Sequence, residues 1–225
     1  MRIIDLSVEL AVGMPQYPSP YLPPMQLTPL ASHRREARST QLLTVGTHVS
    51  THVDAPFHAV PTGLTLDRVP LDLWFGVTRV VHFGDRDKSN PLDVADIEAI
   101  PGLSTVRKIL LDTGWARRTW GTSAYFTEGP FLTRAAAHFI ASQELLQLIG
   151  TDFPNIDSAS DTVPEVPAPN HGIVLGRGIV LLENLLNLEG LEDEVVLSAA
   201  PPRLVGGDGC PVRAIAISPV PQEYR

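Results

Sequence analysis

Cysteine is almost missing: Cys210 is the single one among 225 residues. That excludes an intramolecular disulfide framework and is compatible with a cytoplasmic protein. Long apolar runs are missing too, and no stretch approaches the roughly 20 residues that a membrane-spanning helix needs. The opening residues Met1-Arg-Ile-Ile-Asp-Leu read directly as a strand and lack the apolar core of a signal peptide. There is no basic stripe. The net charge is −8, and the densest basic cluster, His33-Arg34-Arg35 with Arg38, is interrupted by Glu36. Neither nucleic acid nor a membrane is therefore an expected partner, which leaves a small molecule. No G-x-S-x-G elbow occurs, so serine hydrolase chemistry has no support.

The composition present, 44% hydrophobic and 19% charged, is that of an ordinary globular chain. Its length fits one large domain, residues 1–225, with a core that needs no staples. Proline is abundant, with 21 residues. Pro15, Pro18, Pro20, Pro23, Pro24 and Pro29 forbid helix over residues 12–29 and predict an ordered surface loop. A second irregular stretch runs from Pro154 to Pro169 and carries Asp157, Asp161 and Glu165. Strands are predicted at Ile3–Val8, Gln41–Val45, Val77–Phe83, Val106–Leu111, Ile179–Leu182, Glu194–Ser198 and Val212–Ile217. The clearest helix is predicted over Thr133–Ile149, with Thr133 as N-cap and Gly150 as its stop; a weaker one spans Asp93–Ala99. Several strands with few helices imply an α/β fold with a mixed β-sheet core rather than strict βαβ alternation.

Chemistry concentrates in His48-Val-Ser-Thr-His52-Val-Asp54-Ala-Pro-Phe-His58. All four polar residues are even-numbered, so an extended chain would project them from one face. Thr47, Val49, Thr51, Val53, Ala55 and Phe57 would form the opposite, buried face. A helix would scatter Asp54 and His58, and Pro56 forbids a regular helix interior, so extended or irregular chain is expected here. Converging imidazoles and a carboxylate match the ligands of zinc or manganese, and Gly46, Ser50 and Ala55 leave room for close backbone. A lone strand histidine is most often a hydrogen-bonded structural residue. Three of the seven histidines within one such segment are harder to read that way.

At these residues the chain resembles the putative cyclase family of metal hydrolases, which includes bacterial kynurenine formamidase and isatin hydrolase. The family's H-x-G-T-H-x-D-x-P-x-H signature stands here as His48-Val-Ser-Thr-His52-Val-Asp54-Ala-Pro56-Phe-His58. Ser50 replaces the usual glycine, a change tolerated if its φ is negative. Asp5-Leu-Ser7 and Gly13-Met-Pro15-Gln-Tyr-Pro18 resemble the family's first strand and substrate-facing loop. Leu111-Asp-Thr-Gly-Trp115, Gly150-Thr-Asp152, His171 with Glu183-Asn-Leu, and Asp208-Gly-Cys-Pro-Val-Arg213 resemble later landmarks in the right order. The fold this implies is the family's swivelling β/β/α arrangement.

The resemblance implies His48, His52 and Asp54 as ligands of a first metal, with Asp54 bridging to a second held by His171, and Glu183 touching both. One or two ions are implied, zinc first and manganese as the other choice. His58 matches the family's catalytic, proton-transferring histidine. By the residues alone, His171 could be a polar turn beside Asn170 and Gly172, and Glu183 an exposed carboxylate at a strand end. Tyr17 stands where the family commonly has tryptophan. In the pattern G-x-D-x-x-S-x-D, here Gly150 to Asp157, Asn155 replaces serine. Both are substrate-facing positions, and both put N-formylkynurenine and isatin in doubt.

The expected reaction is hydrolysis of an amide, formamide or lactam bond in a small aromatic or cyclic metabolite by metal-activated water. The alternatives are a metal-dependent cyclase or dehydratase acting on a polyketide-like metabolite, or a non-catalytic metal-binding protein. Cys210 reads as structural, in a turn before the last strand. His33, His82 and His138 read as surface or packing residues, and Asp152, Asp157 and Asp161 as solvated loop carboxylates. The resemblance also implies a homodimer or homotetramer.

Overall fold

The computed structural model describes residues 1–158 and 168–224. Eleven strands follow in chain order: β1 (Arg2–Asp5), β2 (Gln26–Ala31), β3 (Thr40–Thr44), β4 (His52–Asp54), β5 (Phe75–His82), β6 (Lys108–Asp112), β7 (Leu148–Thr151), β8 (Val180–Glu183), β9 (Glu194–Ser198), β10 (Gly209–Pro211) and β11 (Ile215–Ser218). The α-helices are α1 (His33–Glu36), α2 (Val94–Glu98), α3 (Trp115–Thr119), α4 (Ala124–Thr127), α5 (Arg134–Ala141) and α6 (Pro169–Gly176). Nine strands form one sheet in the order β1-β11-β9-β5-β6-β7-β8-β4-β10, while β2 and β3 make a separate ribbon.

The centre of the sheet, β5 to β8, is parallel and is joined by helical crossovers; every other pairing is antiparallel. This is the expected mixed sheet, with a βαβ core inside antiparallel flanks. The apolar runs Lys-Ile-Leu-Leu-Asp, Leu-Ile-Gly-Thr and Val-Leu-Leu-Glu are buried throughout, as strands covered on both faces must be. Alternation sorts their side chains. Ile109, Leu111, Ile149 and Leu181 join Ala136, Ile140 and Leu175 of the helices. Leu110, Leu148 and Leu182 join Val53, Val195 and Leu197 on the other face.

The seven predicted strands are present, mostly shifted by one to three residues. The Asp93–Ala99 helix is also present, closed by a capping box between Asp93 and Asp96. The Thr133–Ile149 helix is corrected. Thr133 does cap it, accepting from Ala136 N–H, but the helix stops at Ala141 and Leu148–Thr151 is a strand. Gly150 is therefore no helix stop. It lies inside β7, where a Cβ would come within 2.4 Å of Leu110 and 2.9 Å of Leu185. The proline-rich stretch 12–29 is irregular as expected until residue 26, where β2 begins. Cys210 lies in β10 rather than a turn, half-buried. Asp161 and Glu165 lie outside the described residues. Among the described residues no helix is long and apolar enough to cross a membrane.

Candidate active site

Strand pairing assembles the first part of the site. β4 lies between β8 and β10, with His52 opposite Glu183 and Asp54 opposite Gly209. His52 and Asp54 share a face because they are two residues apart, while Val53 between them is buried in the core. Glu183 ends β8, so the cluster sits at the carboxyl ends of the parallel strands, the usual ligand position in open α/β sheets.

Residues 48–58 are extended or irregular chain, as expected, and only His52–Asp54 is strand. His48 arrives from the preceding turn, and His58 from a 3-10 turn over Pro56–His58. On the opposite face Val49, Thr51, Val53 and Ala55 are buried as expected, but Phe57 is exposed. Ser50 has φ +61°, so the condition of a negative φ is not met. A left-handed serine costs about 1–2 kcal/mol. The turn is held by Ser50 Oγ donating to Val8 O at 3.0 Å and by Asn184 Nδ2 donating to Ser50 O at 2.8 Å.

Three histidines converge on the buried carboxylates of Asp54 and Glu183. His52 Nε2 lies 3.4 Å from Asp54 Oδ1 and 3.6 Å from Glu183 Oε2. His171 Nε2 lies 3.6 Å from both Asp54 Oδ2 and Glu183 Oε1. His48 Nδ1 approaches Asp54 Oδ1 at 2.6 Å. Each carboxylate thus divides its two oxygens between the His48/His52 side and the His171 side. Asp54 Oδ2 and Glu183 Oε1 are buried without a hydrogen-bond donor among the described residues. Both alternatives, a polar turn for His171 and an exposed end for Glu183, are excluded: both residues are buried, and His171 lies in α6.

Each histidine's other nitrogen has an acceptor of its own, which fixes the ring. His52 Nδ1 donates to Ser50 O at 3.0 Å, His48 Nε2 meets Asp208 Oδ2 at 2.8 Å, and His171 Nδ1 meets Asp157 Oδ2 at 2.6 Å. Asp157 also accepts the backbone N–H of Asn170 and of His171, so one carboxylate both caps the start of α6 and aims its histidine. The expectation of solvated loop carboxylates is corrected for Asp152 and Asp157, which are both buried. Asp152 accepts from Thr113 and Trp115 N–H, and burial pushes it up to about 7, against the hydrogen bonds from Thr113 and with the charge of Asp112.

Electrostatics say what the cluster wants. Burial opposes charge on His48, yet Asp54 and Asp208 overcome it and raise the imidazole to about 10. His171 is likewise raised against its burial by Asp157, Asp54 and Glu183. Asp54 is held low despite burial by His48 and His52. Asp208 is held low by hydrogen bonds from His48 and His58. Buried carboxylates that draw protons onto imidazoles mark a site short of positive charge, and an array of histidine nitrogens with paired carboxylate oxygens fits a divalent cation.

His58 is set apart. Its ring lies 3.9 Å from that of His48, centroid to centroid, and its Nδ1 is 3.6 Å from Asp208. It shares ligand-range space with His48 and Asp54. Unlike the five, it is a third exposed to the cavity. Tyr17 and Asn155 line that same cavity beside the cluster. Asp208, Asp157 and Asn184 are the working residues that reading the sequence for ligands missed. The Asp157 and Asp208 motifs were visible as landmarks, but nothing local marked their roles. His33 and His138 are exposed, and His82 pairs with Asp112 at 2.6 Å, away from the cluster.

These features define a class: a mixed α/β protein with a buried histidine–carboxylate cluster suited to divalent cations. Within it, the chain belongs to the putative cyclase family, whose description, "Putative cyclase", matches residues 4–158. It is 31% identical over 223 residues to a kynurenine formamidase of Salinibacter ruber, covering 96% of this chain and 97% of that one. A kynurenine formamidase of Geobacillus thermodenitrificans is 30% identical over 218 residues, covering 94% and 95%. In fold it is similar to isatin hydrolase A from Ralstonia solanacearum, with TM-score 0.80 and 23% identity over 96% of this chain and 91% of that one. Isatin hydrolase A from Labrenzia aggregata gives TM-score 0.79 and 24% identity over 96% and 93%.

Proposed function

We propose that this chain is a single-domain, metal-dependent hydrolase that cleaves an amide, formamide or lactam bond of a small aromatic metabolite. The observation that carries the reading is the pair of buried oxygens, Asp54 Oδ2 and Glu183 Oε1, that face the imidazoles without a hydrogen-bond donor among the described residues. Similarity to kynurenine formamidases along nearly the whole chain supports the bond type. His48, His52, Asp54, His171 and Glu183 are the metal ligands in this reading. The division of both carboxylates between two histidine sides favours two ions, with zinc first and manganese second by donor type. When bound, the metal supplies an acidified water and a Lewis acid for the carbonyl oxygen.

His58 transfers the proton to the leaving nitrogen, a role that suits an imidazole at the cavity wall. Asp208, between His48 and His58, orients both rings. Tyr17 and Asn155 flank the bound substrate. Exposed Leu27, Leu30, Leu42 and Leu43 on the β2–β3 ribbon support a homodimer or homotetramer. The single cysteine supports a cytoplasmic location.

The test is a pair of variants scored for metal content and for turnover on aryl formamides, cyclic imides and lactams. His52→Ala should lose both metal and turnover. His58→Ala should keep its metal and lose about 10²–10⁴-fold in turnover. Full activity in His58→Ala would remove its role. A metal-loaded wild type that hydrolyses none of these compounds would leave the cyclase, dehydratase or non-catalytic alternatives.

A further inference from the structure

We infer that Tyr125 is a positioning residue: its hydroxyl fixes the side chain of Asn184 and, through it, the ring of His52. The inference rests on the hydrolase reading where it concerns metal, while the positioning is a property of the side chains themselves. Tyr125 lies in α4 and is fully buried. Its ring packs edge-to-face on Trp120 at 5.0 Å and on Phe126 at 4.9 Å, centroid to centroid. Both of those rings line the cavity into which the cluster opens. The Tyr125 hydroxyl donates to Asn184 Oδ1 at 2.9 Å, whereas the carbonyl of Asp152 lies farther away, at 3.4 Å. One side chain thus touches both the aromatic wall and the holder of a cluster histidine.

Asn184 directly follows Glu183 at the end of β8, with φ +61°. Its amide has one arrangement that satisfies its neighbours. Ser50 O can only accept, so the amide atom 2.8 Å from it is Nδ2, which leaves Oδ1 for the phenol. The same Ser50 O accepts from His52 Nδ1 at 3.0 Å. Nδ1 therefore carries the ring proton, and Nε2 turns its lone pair toward Asp54 at 3.4 Å and Glu183 at 3.6 Å. Asn184 Nδ2 and His52 Nδ1 stand 3.3 Å apart, two donors on one acceptor. An amide turned over would place its oxygen there, drawing the His52 proton away from Ser50 O. The phenol opposes that turn. Burial, with the charges of Asp152 and Glu183, holds it well above its ordinary pKa, so it stays a donor. Removing the hydroxyl alone leaves Oδ1 without this donor and loosens the amide.

The experiment uses Tyr125→Phe, which keeps the ring and its packing, and Asn184→Gly, since glycine adopts a left-handed φ without strain. The full chain, carrying isotope-labelled histidine, is followed by NMR with and without zinc, and zinc and manganese affinities are measured by competition titration. In the wild type His52 should hold its proton on Nδ1. In both variants that proton should exchange faster, and without metal the ring should populate the other tautomer. Metal affinity should fall about tenfold in Tyr125→Phe and about 10–100-fold in Asn184→Gly. Adding Tyr125→Phe to Asn184→Gly should lower it no further, because both act by one route. Ile97→Ala, in the core at α2, is the control that lowers stability without altering the His52 signals. Unaltered His52 signals in either variant would overturn the inference, as would an equal change in Ile97→Ala or full additivity in the double variant. If the signals change while both variants keep wild-type metal affinity, the positioning stands and His52 is no metal ligand.

Discussion

His171 and His48 approach Asp54 at its two different oxygens, and their outer nitrogens end in different surroundings. His171 rests on Asp157, which is buried and simultaneously holds the first turn of α6. His48 rests on Asp208, which is 36% exposed and also approaches His58. One side of the cluster is thus fixed by the framework that folds the chain. The other is tied to solvent and to the residue proposed to move protons. The difference teaches that two histidine–carboxylate pairs of near-equal length, 2.6 and 2.8 Å, need not do the same work.

The largest break in this comparison is expected from Asp157→Asn, which should lower metal affinity by about 10–100-fold. It should also lower thermal stability, because the α6 cap goes with it; metal titration and calorimetry read both. Unchanged metal affinity would show that His171 needs no outer partner. Gly209→Ala attacks the other side. A Cβ there would stand 2.6 Å from His48 Cε1 and 2.7 Å from Val53 O, so His48 must move. About a tenfold loss of metal affinity is expected, with a smaller loss of stability than for Asp157→Asn.

The smallest effect on turnover should come from Asp152→Asn, outside the cluster, which sharpens the comparison as a buried carboxylate that serves the fold alone. Burial raises Asp152 to about 7, so the folded chain keeps a proton that the unfolded chain releases near its ordinary value of 3.8. The resulting stability is full at acid pH and is lost as pH rises through the folded value. Between about pH 4 and about pH 7 the wild type should lose up to about 1.4 kcal/mol per pH unit from this group. Urea unfolding at a series of pH values should show that slope flattened in the variant, even though the variant is less stable throughout. An unaltered slope would remove Asp152 as its source.

Much of the site was legible in the residues. His48, His52, Asp54 and His58 do converge, but period two explains only His52 and Asp54. His48 and His58 are brought in by a left-handed Ser50 and a 3-10 turn, and hydropathy carries no trace of either. His171 and Glu183 were legible through family resemblance alone, because their local sequence suits a turn and a strand end equally well. Asp157 reads as a loop carboxylate until α6 is placed beside it, a contact 14 residues away. The sheet was legible where strands are long and β-branched. β10, three residues long, was hidden because it exists only through its partner, and β4 was legible only as part of a longer extended or irregular stretch. The end of α5 was misread because apolar spacing at Leu146 and Ile149 continues the helical pattern across a chain reversal.

The placement of β4 has a bearing on biogenesis. Its neighbours on both sides, β8 and β10, are made long after it; His52 waits for Asn184, 132 residues downstream. During synthesis the three early histidines therefore leave the ribosome with no framework to hold them in register. A cation met at that stage finds a flexible peptide rather than a shaped cage, and gains no selectivity from geometry. A shaped arrangement of these side chains exists only once β8 and β10 have paired with β4, the latter within the last tenth of the chain.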